Sequence, residues 1–139
     1  MTYSELTLRF DIRPMPHQSF RMSRSGVAYT PKKVLDYKRE IERLAYNQLP
    51  EDFEIIRAGT PIIVDYLHYC FEFNKTTALK HRQEGLQKTT KPDLLDNINK
   101  AFIDALEGIV FEQDQNIVEV RDLKKFYGEC NYIEIKLLY

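Results

Sequence analysis

From Pro61 to Phe73 the chain reads PIIVDYLHYCFEF, apolar at the odd positions and the even ones alike. A strand with one wet face alternates, so this run predicts a central strand covered on each side. It is far shorter than the ~20 apolar residues a membrane span requires, and membrane insertion is excluded. The rest of the chain has to be arranged around this strand.

The neighbours fall into an α+β order. Tyr3 to Phe10 sets Leu6, Leu8 and Phe10 against Glu5, Thr7 and Arg9, the pattern of a half-buried strand. RPMPHQSFR cannot continue a central strand, because Pro14 and Pro16 donate no hydrogen bond to a ladder. FRMSRSGVAYT reads as a short hairpin turning near Ser25 and Gly26. Thr30 then offers an N-cap with Pro31 in the first helical position, and Val34, Tyr37, Ile41, Leu44 and Ala45 make an apolar stripe to about Leu49. Lys75 to Lys88 is polar and basic, an arm with a short helical piece. Ile117 to Phe126 and Tyr132 to Leu138 both alternate and predict a hairpin around a turn near Gly128. The expected fold is one domain, residues 1–139, with a single small mixed β-sheet and two main helices packed on it. At 139 residues, 43% of them hydrophobic, such a domain buries about two thirds of its unfolded surface without staples. Cys70 and Cys130 are isolated and lack metal-ligand spacing, and no secretory segment is visible, which predicts a reduced, cytoplasmic protein.

A formal net charge of −1 conceals segregation along the chain. Residues 13–43 carry a net +5 and residues 75–91 a net +4, whereas residues 92–134 carry a net −6. Two basic arms around an acidic centre suit an enzyme that grips a polyanion, although ordinary surface charge gives the same counts. The basic residues available to phosphate are Arg13, Arg21, Arg24, Lys32, Lys33, Lys75, Lys80, Arg82, Lys88 and Lys91. Lys32 and Lys33 fall in the first turn of a helix, where cations oppose the dipole unless an anion sits there.

The acidic centre contains TTKPDLLDNINKAFIDALEGIVFEQDQNIVE. On a helix, Leu94, Ile98, Ala101, Phe102, Ala105 and Ile109 share one face, Asp96, Lys100, Asp104 and Glu107 share the other, and Gly108 supplies the stop. Structural roles account for much of this: Asp93 as N-cap, Asp96 near the positive helix end, and Asp96 with Lys100 as an i,i+4 pair. Chemistry accounts for it too. A hard cation takes carboxylate oxygens and water, and Lys100 could stabilise a phosphate oxygen, provided the chain brings Asp114 back beside the helix start. Spacing leaves both readings open. His17, His68 and His81 have no assigned role; His68, inside the central strand, is read as a hydrogen-bonded core residue.

KPDLLDNINKAFIDALEG followed by VFEQDQNIVEV resembles the RusA family of Holliday junction resolvases of phages and prophages, whose signature is K-P-D-x-D-N-x-x-K-x-x-x-D-A-L-x-G and then an aspartate-rich turn into Q-I-V. RPMPHQSFR and YTPKK resemble that family's proline-basic loop and first helix. Residue by residue, the core falls on Asp96, Asn97 and Lys100, the D-A-L-x-G on Asp104, Ala105, Leu106 and Gly108, and the later acid on Asp114. Two departures stand out. Both Leu94 and Leu95 separate Asp93 from Asp96 where one residue is usual, and the turn reads Glu112, Gln113, Asp114 where adjacent aspartates are usual.

The resemblance implies a homodimeric, Mg²⁺-dependent endodeoxyribonuclease, with Mn²⁺ as a substitute, that nicks two strands of a four-way DNA junction symmetrically in recombination and repair in a bacterial host's cytoplasm. Its catalytic residues would be Asp93, Asp96, Lys100 and Asp114, its metal ligands Asp93, Asp96 and Asp114, and its partners branched DNA and a second copy of itself. A non-catalytic junction-binding protein and a broader flap or fork nuclease are the alternatives. The extra leucine would be absorbed by a bulge before Asp96 or by an earlier helix start, with Leu94 and Leu95 both packing inward.

Overall fold

The computed structural model describes residues 2–16, 21–73 and 85–139. In chain order they form β1 (Glu5–Phe10), β2 (Arg21–Met22), β3 (Ala28–Tyr29), α1 (Lys32–Gln48), β4 (Ile62–Glu72), a π-helical turn (Leu94–Ile98), α2 (Asn99–Leu106), a 3-10 turn (Asp114–Asn116), β5 (Ile117–Val120), β6 (Leu123–Gly128) and β7 (Tyr132–Leu138). This is the α+β plan expected: one mixed sheet carrying two main helices, with β2 and β3 as a separate small hairpin.

β4 is the centre of the sheet. β7 runs antiparallel along one edge of it and joins it to β1, while β5 and then β6 run parallel along the other edge. Leu6, Leu8 and Phe10 of β1 are buried and the residues between them exposed, as their alternation requires. From α1, Tyr37, Ile41 and Ala45 enter the same core as Phe102, Ile103, Ala105 and Leu106 of α2. The helix starts one residue later than expected. Pro31 occupies the cap position, no side chain caps it, and Thr30 plays no such part.

The expectation that β4 is covered on each side holds in part: one face enters the core, and on the other Ile63 and Cys70 are buried while Tyr66 and His68 are not. A register shift between Val64 and Tyr66 exchanges the faces of the strand, so Ile62 and Val64, then Leu67, Tyr69 and Phe71, all enter the one core cluster. The run looks equally apolar on its two faces partly because of that irregularity. Tyr66 and His68 lie on the opposite face and are only half-buried. Tyr66 donates to Glu134 at 2.9 Å and His68 pairs with Asp122 at 2.8 Å, so His68 is hydrogen-bonded as expected but lies on the half-open face and not in the core. Ring contacts continue from His68 to Phe126 and on to Tyr132, which lies under the Arg9 guanidinium at 4.0 Å.

The C-terminal hairpin is also corrected. β6 and β7 do not pair with each other; β4 lies between them. The two runs alternate like hairpin arms, but both edges of β4 are open for pairing, and residues 129–131 carry the chain across its end. There Asn131 Oδ1 accepts the Glu72 N–H at 2.8 Å. Close packing fixes the crossing: a Cβ added at Gly128 would collide with the buried Cys70 Sγ. Gly128→Ala is therefore expected to destabilise the fold by about 1–3 kcal/mol, read as a lower urea midpoint, and an unchanged midpoint would show that the crossing can relax.

Candidate active site

The approach to α2 is tied to β6. Gly85 donates to the Tyr127 carbonyl at 2.7 Å, Tyr127 to that of Leu86 at 3.0 Å, and Lys88 to that of Lys125 at 3.2 Å. Lys125 Nζ then donates to the carbonyls of Thr90 and Pro92, each at 2.6 Å, immediately before Asp93. Burial and the nearby Lys88 hold the Lys125 ammonium below its ordinary pKa, while Asp93 opposes that fall. Asp93 has extended backbone and caps nothing with its side chain.

The extra leucine is absorbed in a third way. Leu94–Ile98 wind as a π-helical turn, opened by the Ile98 N–H on the Asp93 carbonyl at 3.1 Å. A π turn is what one residue inserted into an α-helix produces. Leu94 packs against the core as expected, but Leu95 is 68% exposed. The wider winding also changes the geometry four residues along, and Asp96 and Lys100 form no ion pair. At the other end α2 stops where expected: Gly108, at φ 87°, adopts the left-handed conformation that ends a helix, and donates to the Phe111 carbonyl at 2.8 Å.

From there Val110 and Phe111 turn into the core, and Ile56 and Val110–Glu112 exchange backbone bonds that aim the chain back across the sheet. β4, α2 and β5 make a parallel crossover, which returns Asp114 to the helix. Its backbone arrives beside the C-terminal end of α2, while the residue lines the same cleft as Asn99 and Lys100 at the helix start. Glu107 accepts the Asp114 N–H at 2.9 Å. Asp114 is exposed at this rim; partial desolvation first, then the facing Glu107 and Asp104, push its carboxyl up from its usual range. Glu112 is occupied elsewhere, accepting from Ala58 N–H at 3.0 Å and lying 3.4 Å from Arg57.

A cleft of about 320 Å³ opens between α2 and the β4–β5 edge. Lys100 and Asp114 both line it, with Asn99 and Asp104, over an apolar floor that includes Val64, Leu67 and Ile103. Asp104, on the polar face of the predicted helix, is thus in the cleft; its i,i+4 relation to Lys100 is the sequence signal for it. Asn99 was missed, since nothing in its position marks it. Asp93 and Asp96 are exposed and are not among the lining residues. Among the described residues, no three of His, Cys, Asp and Glu stand close enough to hold a metal ion together. A ready-made carboxylate trio therefore does not fit. A single carboxylate does, because Mg²⁺ is commonly held by one or two carboxylates with substrate phosphates and water completing the shell.

Of the basic residues, Arg24, Lys32, Lys33 and Lys91 are exposed. No salt bridge among the described residues involves these four, Arg13 or Lys100. Arg13 donates to Asn131 at 3.3 Å and lies over the Phe71 ring. Lys88 differs from the expectation of an exposed arm: it is 9% exposed, donates to Thr90 Oγ1 at 2.9 Å and Tyr127 Oη at 3.3 Å, and sits over the rings of Phe71 and Tyr127. The apolar floor at the end of β4 draws its stem inward, and neutral oxygens and ring faces take its charge. The Arg21 side chain, Lys75, Lys80, Arg82, His17 and His81 lie outside the described residues.

The family model for endodeoxyribonuclease RusA matches residues 11–138, nearly the whole chain. The protein is accordingly a nuclease, a hydrolase acting on DNA. It belongs to the RusA family, whose members are Holliday junction-resolving endonucleases and are generally metal-dependent. No curated protein matches the chain. No helix among the described residues is long and apolar enough to cross a membrane.

Proposed function

We propose that this chain resolves four-way DNA junctions as a homodimer, by paired symmetrical nicks that depend on Mg²⁺, with Mn²⁺ as a substitute. The observation that carries the reading is the cleft in which Lys100 and Asp114 meet, within a chain of the RusA family. Asp114 is the carboxylate best placed for a cation, since facing acids leave its charge uncompensated. Asp93 and Asp96 are assigned to the same task by the family motif. Bound there, the ion would supply positive charge against the scissile phosphate and make water acidic enough to attack it at neutral pH. Lys100 stabilises the charge that develops on the phosphate oxygens. A junction has approximate two-fold symmetry, and an isologous dimer offers two sites related in the same way.

A cleavage assay comparing four-way junction, fork and linear duplex tests this directly. Junction-selective nicking supports it; equal cutting of forks and flaps points to a broader nuclease, and binding without nicking in Mg²⁺ or Mn²⁺ points to an architectural protein. Asp93→Asn and Asp96→Asn are each expected to lower cleavage at least about a hundredfold with the fold retained. Normal cutting by Asp93→Asn would leave Asp93 a purely structural entry to the π turn.

The exposed lysines at the start of α1 make a separate test. Neutralising Lys32 and Lys33 together is expected to weaken junction binding and reduce the log–log salt slope by roughly one to two charges. An unchanged slope removes α1 from the DNA-binding surface.

A further inference from the structure

We infer that Asn99 is a DNA contact of the cleft, its carboxamide held ready by the buried hydroxyl of Tyr69 to donate to a phosphodiester oxygen. The inference rests on the nuclease reading above and adds a residue that the family motif leaves unspecified.

Tyr69 is fully buried in the centre of β4, packed edge-on against Phe102 with ring centroids 6.0 Å apart. Its hydroxyl crosses from the core to α2 and donates to Asn99 Oδ1 at 2.9 Å. A carboxamide has one acceptor end and two donor hydrogens. With its oxygen engaged by Tyr69, Asn99 keeps both donor hydrogens on Nδ2, for which no acceptor occurs among the described residues. The residue lines the cleft together with Lys100 and Asp114. A neutral donor there complements an anion without pairing off the carboxylates, and hydrogen bonds to charged groups are the stronger kind. The ligand chemistry is therefore a phosphate oxygen of the DNA backbone. Tyr69 is a positioning residue, and Asn99 is the group that touches substrate.

The opposing account is that Asn99 serves only to satisfy a buried hydroxyl, and a double-mutant cycle separates the two. Asn99→Ala should lower single-turnover cleavage of a four-way junction by about ten- to hundredfold, in keeping with the loss of a hydrogen bond to a charged group. Because the donor is neutral, the salt slope of binding should stay at the wild-type value, unlike that of the Lys32 and Lys33 variant. Tyr69→Phe should cause a smaller loss of cleavage alone and no further loss in the Asn99→Ala background. If Tyr69→Phe instead restores cleavage to Asn99→Ala, the pair exists for the fold and the inference is overturned. Full cleavage by a folded Asn99→Ala would overturn it as well. Wild-type protein that nicks no DNA would fail the nuclease reading itself, a different result from active wild type with silent variants.

Discussion

Asp114→Asn is expected to reduce cleavage by at least about a hundredfold and, in the same protein, to raise resistance to heat at neutral pH. The first effect follows from losing the carboxylate proposed to hold the cation in the cleft it shares with Lys100 and Asp104. The second follows from its surroundings, where partial desolvation, Glu107 and Asp104 all disfavour the ionised form of this exposed group. A carboxyl whose pKa is higher in the folded state binds its proton more tightly there, so its penalty is full once pH exceeds the folded value. The penalty vanishes in acid, where the group is protonated in both states. Thermal melts should therefore separate the variant from wild type near neutrality and converge as pH falls below the carboxylate range. Junction binding should be retained or tightened, since a negative charge beside phosphate has been removed. Undiminished nicking would take Asp114 out of the chemistry, and a lower melting temperature at neutral pH would contradict the repulsion.

The largest effect on stability is expected from Phe102→Ala, at about 3–5 kcal/mol. Phe102 has no exposed surface and stands where α2 meets the sheet. It packs edge-to-face against Phe10 of β1, with centroids 5.3 Å apart and rings 76° apart, and against Tyr69 of β4. Truncation removes both ring contacts and leaves a cavity among aromatic walls that cannot collapse without moving the strands. Since Asn99, Lys100 and Asp104 ride on the same helix, cleavage should fall even at temperatures where the variant stays folded. Chemical denaturation measures the first effect and single-turnover cleavage the second. A loss below about 1 kcal/mol would mean that α2 repacks freely.

The parts that were legible in the sequence are those set by local periodicity. The alternation of Leu6, Leu8 and Phe10, the stripe from Tyr37 to Ala45, the stop at Gly108 and the central place of β4 all follow from one element meeting one face. The misreadings involve relations between elements or a change of period within one. The hairpin expected of β6 and β7 fails because a strand from earlier in the chain enters between them, which no local pattern records. The shift near Asp65 makes a strand with one fully buried and one partly covered face look apolar throughout. In the site, the motif led to Lys100 and Asp114, and the structure brings those two together; the neighbours it adds, Asp104 and Asn99, depend on where the crossover returns the chain. The charge of Lys88 predicts exposure, and its burial depends on rings supplied by β4 and β6.

The place of β7 also bears on how the protein comes into being. β7 is paired on both sides, to β1 near the start of the chain and to β4 in its middle. Until residues 132–138 have left the ribosome, β1 has no partner in the sheet and β4 has an open edge. Contacts of such long sequence separation carry the loop-closure cost of slow folders, so the sheet should form late and in one step. The nascent chain would meanwhile expose its most apolar strand, and a nuclease whose cleft lies on that strand's crossover would be inactive throughout synthesis. Arrested nascent chains that stop short of residue 132 should be protease-sensitive across β4, and release of the last strand should confer protection and cleavage together.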